Sequence, residues 1–177
     1  MASSPVTPPV APVGPEQFKA GMALLAGAVN VVSTQGPSGP AGFTATAVCS
    51  VCAEPPTLLV CLNNGSSAAA EFAAADRLCV NTLSAAQAGL AQLFGGRTPM
   101  ADRFAAGAWL DGVTGVPVLE NALVAFETRI MQRQQMGTHD VLFCEVLAVH
   151  RGLADSGACV YWDRAFRSLG DAAAGGD

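Results

Sequence analysis

The chain is short of charge. Only 13% of its 177 residues are Asp, Glu, Lys or Arg, against about 25% in an ordinary soluble domain. Half of it is apolar, at 51%, so a lone monomer would leave much apolar surface wet; a homo-oligomer that covers some of it is expected. Lysine and arginine total nine against fourteen acids, a net charge of −5. No basic footprint exists for nucleic acid, which is excluded as an expected partner. No apolar run approaches the ~20 residues that span a bilayer, so no membrane association is expected. Histidine is scarce too, with His139 and His150 the only two, which leaves little for a metal site.

Several motifs are missing. No G-x-G-x-x-G follows a strand, and there is no G-x-x-x-x-G-K-[ST], H-E-x-x-H or G-x-S-x-G. These absences argue against a Rossmann nucleotide fold, a triphosphate cradle, a zinc protease and an α/β-hydrolase. If the chain is an enzyme, a bound cofactor carries the chemistry.

The first fifteen residues hold five prolines and no lysine or arginine. They lack the charged and apolar regions of a signal peptide. Residues 1–15 read as a disordered Pro-rich tail, 16–170 as the folded domain and 171–177 as a second disordered tail. Without a secretory signal, the expected compartment is the cytoplasm and the six cysteines are expected to be reduced. Cys49 and Cys52 form a C-x-x-C, but in a strand pattern residues three apart point to opposite faces. No second pair or nearby histidine completes a metal set, so a buried, structural role is expected for these thiols.

What is present reads mainly as strand. A helix is expected over Glu16–Ala26, with Phe18, Met22 and Leu25 on one face. Strands are expected over 28–34, 43–51, 57–63 and 78–83, with a Gly/Pro turn over 35–42 and a break at Glu54-Pro55-Pro56. Two helices, 66–75 and 85–94, follow, the second ended by Gly95-Gly96. Residues 99–117 read as irregular. Two long strands, 122–134 and 140–151, meet at Met136-Gly137-Thr138, and 159–163 is the last strand. Many antiparallel strands with hairpin-like links and few helices suggest a closed barrel; periodicity alone does not say which.

Two segments are notable for their small and hydroxyl side chains. Gly42 to Val51, with the small Ala45 and Ala47 and the hydroxyls of Thr44, Thr46 and Ser50, by itself reads as an ordinary threonine-rich strand. In Asn63-Asn64-Gly65-Ser66-Ser67, two serines precede an alanine-rich helix, a natural phosphate site or a plain N-cap.

The run Gly42 to Val51 followed by Pro55-Pro56-Thr57-Leu58-Leu59-Val60 resembles the flavin reductase-like domain of the split-barrel flavin-binding proteins. These are the small reductase components of two-component flavin monooxygenases. The resemblance continues through Cys79 to Leu83, Gln87 with Leu90-Ala91 and Phe94, Arg103-Phe104, Gly137-Thr138-His139-Asp140, and Tyr161 to Phe166. It covers roughly Glu16 to Leu169.

The resemblance implies a mainly β split barrel, a homodimer, and an NAD(P)H-dependent flavin reductase. NADH would reduce an exchangeable FMN or FAD, which would then pass to a partner flavin-dependent monooxygenase. It places Thr44, Ala45, Thr46, Ser50, Leu62, Asn63 and Phe94 against the flavin, with Ser66 and Ser67 on its phosphate. Many relatives carry a lysine or arginine near that turn. This one does not, and Arg103 could supply the charge from elsewhere. His139 is implied beside the nicotinamide as a positioning residue, with Tyr161, Arg164 and Phe166 in the segment that closes over NADH. His150, Trp109 and Trp162 are read as structural. No arginine cluster awaits the extra phosphate of NADPH. One other reading stays open, a flavin-holding electron carrier of the same fold; an oxidase acting on pyridoxamine phosphate needs a basic substrate pocket, which the sequence does not show.

Overall fold

The computed structural model describes residues 11–152 and 157–170; of the tail expected over 1–15, residues 1–10 lie outside the described residues, as does 171–177, and the first helix begins at Pro15 rather than Glu16. Helix α1 (Pro15–Ala23) leads into β1 (Gly27–Ala28) and β2 (Asn30–Gly36). Then come β3 (Gly39–Ala45), β4 (Val48–Ala53), β5 (Pro56–Asn63), α2 (Ala69–Ala74) and β6 (Arg77–Thr82). A 3₁₀ turn (Ala85–Gln87), α3 (Ala88–Gly95) and α4 (Met100–Ala105) precede β7 (Trp109–Asp111) and β8 (Pro117–Leu119). The chain ends in β9 (Val124–Met136), β10 (His139–Arg151), β11 (Ala158–Trp162) and β12 (Ala165–Leu169).

The main sheet has seven strands in the order β3-β2-β6-β9-β10-β5-β4, every neighbouring pair antiparallel. Its two outermost strands, β3 and β4, are consecutive in the chain and joined only by Thr46 and Ala47. A link that short forces the sheet to curl until its edges approach, and the Cys61 amide donates to the Ala47 carbonyl at 3.0 Å, extending the β4–β5 ladder up to the corner. The result is a split barrel, with β1-β11-β12 as a separate three-stranded sheet.

Period-two alternation fills the barrel. On β5, Leu58, Val60 and Leu62 are buried, while Leu59 and Cys61 between them are only half-buried. They pack with Val32, Phe43, Phe72 and Leu142. A second cluster, including Val31, Leu90 and Phe94, joins α3 to the outside of the sheet. Gly42 makes that junction possible. A Cβ there would stand 2.8 Å from Phe94 Cε1 and 2.9 Å from the Val32 carbonyl. Gly42→Ala therefore overpacks a rigid wall, and we expect a loss of about 1–3 kcal/mol of stability, read as a lower urea midpoint; an unchanged midpoint would mean that α3 moves freely.

Several elements differ from the sequence reading. The expected strand 43–51 is broken at Thr46-Ala47, because a barrel corner leaves no mark on residue alternation. Residues 99–117 are not irregular: α4, β7 and β8 occupy them, each too short to show a period. The helix expected over 66–75 starts only at Ala69, and that over 85–94 divides into the 3₁₀ turn and α3, with a capping box from Ser84 to Gln87. Helix α1 stops at Ala23 rather than Ala26. Strand β12 was not anticipated; Asp163 and Arg164, at φ 48° and 59°, make the tight reversal that starts it.

The cysteines also need correcting. A bulge between Ser50 and Cys52 sets Cys49 opposite Leu59 and Cys52 opposite Thr57. Those partners are two apart on β5, so the two thiols share a face, and both are exposed. Burial holds only for Cys79, Cys144 and Cys159, where it raises each thiol pKa, that of Cys144 to about 11.

Candidate active site

The corner that closes the barrel also forms a cavity of about 730 Å³, within the ordinary range for a small-molecule site. One wall is the end of β3 and the corner, Thr44 to Ala47. Opposite stand Cys61 and Asn63 at the end of β5 and the turn through Gly65, Ser66 and Ser67. The loop Gly95 to Met100 covers one side and His139, the first residue of β10, another.

Each wall is held by hydrogen bonds. Asn30 donates to the carbonyls of Ala28 and Ala45 at 3.0 and 3.2 Å and accepts from Thr82 Oγ1 at 2.8 Å, which fixes the approach to the corner. Thr44 Oγ1 donates to the Ala91 carbonyl at 2.7 Å. Its proton is thus spent on α3, and only its oxygen can serve a ligand. The serine turn folds on Asn63, whose Oδ1 accepts from the Gly65 amide and whose carbonyl accepts from the Ser66 amide. The Asn64 amide donates to the Thr138 carbonyl at 2.9 Å, tying this turn to the β9–β10 reversal beside His139. Asn63 and His139 are register partners. Gly137, at φ 57°, permits the two-residue turn that puts the histidine there, and His139 Nδ1 lies 3.0 Å from Thr138 Oγ1.

The electrostatics are one-sided. The described lining holds two arginines, Arg97 and Arg103, and no carboxylate, in a chain of net charge −5. Arg103 is only 2% exposed, and burial pulls its pKa below the usual value, although a guanidinium keeps its proton. Cys61 is present as a neutral thiol: burial, and then neighbouring Cys49, push its pKa up.

A second cavity of about 840 Å³ meets the first at Thr46 and Ala47. Phe18, Met22 and Leu25 of the α1 segment line one side, with Tyr161 and Arg164 on the other. The Asp163 amide donates to the Ala23 carbonyl at 2.7 Å, which docks the β11–β12 turn on α1.

The expected site residues therefore fall into groups. Thr44, Ala45, Thr46, Asn63, Ser66, Ser67, Phe94, Arg103 and His139 line the first cavity. Tyr161 and Arg164 line the second, while Phe166 backs Tyr161 at 5.3 Å between ring centroids. Two placements are corrected. Leu62 points into the barrel core, 1% exposed; the alternation of β5 already put its neighbours Cys61 and Asn63 on the ligand side. Ser50 lies beyond the corner on β4 and is absent from the lining. The phosphate reading also changes, since Ser66 and Ser67 sit in a turn ahead of α2 rather than in its first turn. Arg97 went unnoticed; a cation directly after the Gly-Gly end of α3 was the available signal, because the chain reverses there.

A slot floored by small strand residues, with hydroxyls and a cationic end, fits a planar ring carrying an anionic tail. With the split barrel, this defines the class of flavin-binding split-barrel proteins. The chain belongs to the family described as the flavin reductase like domain, whose model matches residues 22–170. It is 56% identical over 159 residues to the FMN reductase (NADH) RutF of Stutzerimonas stutzeri, covering 90% of this chain and 91% of that one. A solved protein of Haemophilus somnus, described as a flavin reductase, superposes with a TM-score of 0.85 at 42% identity, over 89% of this chain and all (100%) of that one. BorF, the flavin reductase component of a bacterial two-component tryptophan halogenase, superposes with a TM-score of 0.81 at 28% identity, over 88% and 98% of the two chains.

Proposed function

We propose that the chain is an NADH:flavin oxidoreductase that reduces exchangeable FMN or FAD and supplies the reduced flavin to a partner flavin-dependent monooxygenase. The observation that carries this reading is the carboxylate-free, doubly cationic cavity at the barrel corner, in a chain that matches a relative named for FMN and NADH along nine-tenths of its length. The folded unit we assign is 16–170. The bound flavin supplies the acceptor for a hydride from the nicotinamide.

The chain's own residues do the rest. Ala45 and Ala47 leave the strand backbone open to the ring, Asn63 with Ser66 and Ser67 offers polar contacts at its tail, and Phe94 closes the apolar side. His139 sits at the mouth of the slot, where it orients the nicotinamide over the ring. Tyr161 and Arg164 offer the adjoining cavity to the remainder of NADH, with Phe166 behind them. Hydride transfer depends on stacking and distance above all, so no acid or base is assigned. A flavin carrier of the same fold would have no use for that second cavity.

A homodimer is part of this reading. Met131, Leu147 and Val149 on the β9–β10 pair are large exposed apolar side chains, and a second copy would cover them. All six cysteines are unbridged, in keeping with a cytoplasmic site of action.

Purified protein should oxidise NADH when FMN or FAD is added and no other protein is present, and should sediment as a dimer at micromolar concentration. It should lose bound colour on dilution, whereas a carrier would stay yellow. NADH oxidation at background with both flavins would remove the reductase reading.

A further inference from the structure

Two cavities must be brought into register for a hydride to pass between them, and one buried side chain reaches the backbone of both. Asn30 opens β2 and is 3% exposed. Its Nδ2 donates to the Ala28 carbonyl at 3.0 Å and to the Ala45 carbonyl at 3.2 Å, so both N–H donors are used. Its Oδ1 accepts from Thr82 Oγ1 at 2.8 Å.

The two carbonyls belong to different sheets. Ala28 ends β1, which pairs with β11 in the three-stranded sheet, and it lines the second cavity. Ala45 ends β3 in the seven-stranded sheet and lines the first. Gly27 and Ala28 stand opposite Tyr161 and Val160, so a shift of β1 carries Tyr161 with it. The seam between the sheets is tight: a Cβ on Gly27 would stand 3.2 Å from Thr46 Cβ, and Thr46 lines both cavities. A single planar NH2 group that holds two carbonyls sets their spacing and their angle together. The sheets are joined without it as well. The Val29 amide donates to the Cys159 carbonyl at 2.9 Å, the Leu83 amide to the Val29 carbonyl at 2.9 Å and the Cys159 amide to the Leu83 carbonyl at 3.0 Å. Loss of the Asn30 side chain therefore leaves the junction paired and frees the corner to shift against β1.

We propose that Asn30 is a positioning residue for hydride transfer: by holding the Ala28 and Ala45 carbonyls together, it keeps the nicotinamide cavity aligned with the flavin cavity across Thr46. The inference rests on the reading of the first cavity as the flavin's and of the second as that of NADH, and adds the group that aligns them. Transfer needs the nicotinamide stacked within about 3–3.5 Å of the ring, and a misplacement of about 1 Å costs up to about a hundredfold.

The test is anaerobic stopped-flow reduction of FMN-loaded wild type, Asn30→Leu and Thr82→Val by NADH and by NADH deuterated at C4. Asn30→Leu nearly keeps the volume and removes both clamping donors. Its limiting rate at saturating NADH should fall about tenfold or more, with flavin affinity, NADH affinity and reduction by dithionite little changed. The slowed step should show a primary isotope effect, which places the loss in hydride transfer. Thr82→Val removes a hydrogen bond from the same network but keeps both clamping donors, and should lose much less rate. A wild-type limiting rate in Asn30→Leu overturns the proposal. So does a slowed step insensitive to deuterium, or an equal loss in Thr82→Val, either of which makes the network merely structural. If Asn30→Leu does not fold, Asn30→Ser, with one donor for two carbonyls, is read by the same criteria; failure of both to fold overturns the proposal as well. A wild type that does not oxidise NADH with either flavin would instead remove the reading of the cavities.

Discussion

Glu127→Ala should lower the unfolding free energy by about 1–3 kcal/mol, the usual consequence of leaving buried hydrogen-bond donors without their acceptor. Glu127 lies on β9 and is fully buried, at 0% exposure. Its carboxylate accepts from the Val113 amide at 3.0 Å, the Thr114 amide at 2.8 Å, the Thr114 hydroxyl at 2.5 Å and His150 Nε2 at 2.6 Å. These bonds anchor the loop between β7 and β8, and removal of the acid leaves its donors unpaired. Burial pushes the carboxyl pKa up, but the hydrogen bonds from Thr114, His150 and Val113 outweigh it and hold the group below its usual 4.5. A folded-state pKa that is depressed contributes stability present above the unfolded value and lost as pH falls through the folded one. Wild type should therefore lose stability on acidification below about 4.5, and Glu127→Gln should lose less over that range. Urea melts at pH 7 and down to pH 3 measure both effects; a midpoint unchanged at pH 7 would show that the network is dispensable. The loosening should reach the cavity too. Trp109 on β7 packs on Phe94 at 5.6 Å and on Phe104 at 4.7 Å between ring centroids, and Phe94 is a cavity wall. His150, read from sequence as structural, has its partner here.

His139→Ala should slow reduction of the bound flavin by NADH by about tenfold to a hundredfold, since a misplacement of about 1 Å is that costly to hydride transfer. Flavin affinity and reduction by dithionite, which needs no stacking, should stay normal. The histidine is half-buried at the start of β10 and faces the cavity across from Asn63. Its backbone is held by the β9–β10 reversal and by the bond from the Asn64 amide to the Thr138 carbonyl, so loss of the ring should leave the turn in place. Anaerobic stopped-flow reduction of the flavin-loaded variant decides the matter. A wild-type NADH rate and affinity would take His139 out of the site and point to Tyr161 and Arg164, which line the neighbouring cavity across Thr46 and Ala47.

The sequence by itself was enough for the class and for most of the cavity's residue types. The β9–β10 pair was legible because its two runs are long and Gly137 marks the reversal between them. The family was legible because its motifs occur in order along the chain, and these include the Asn63–Ser67 turn and His139. What the tertiary structure decided is of another kind. The corner at Thr46-Ala47 is set by the closure of seven strands, a condition on the whole sheet that alternation within one strand does not encode. The bulge that brings Cys49 and Cys52 to one face is a fact of pairing with β5. Arg103 reads from sequence as a cation available to a phosphate, but its five acceptors come from residues 42, 67, 94, 96 and 98. Only folding assembles them, and they leave Arg103 without a free donor, while Arg97 stands exposed in the same cavity lining. Local pattern specifies which face of an element is apolar; which polar groups end up unpaired, and so free for a ligand, depends on distant partners competing for the same hydrogen bonds.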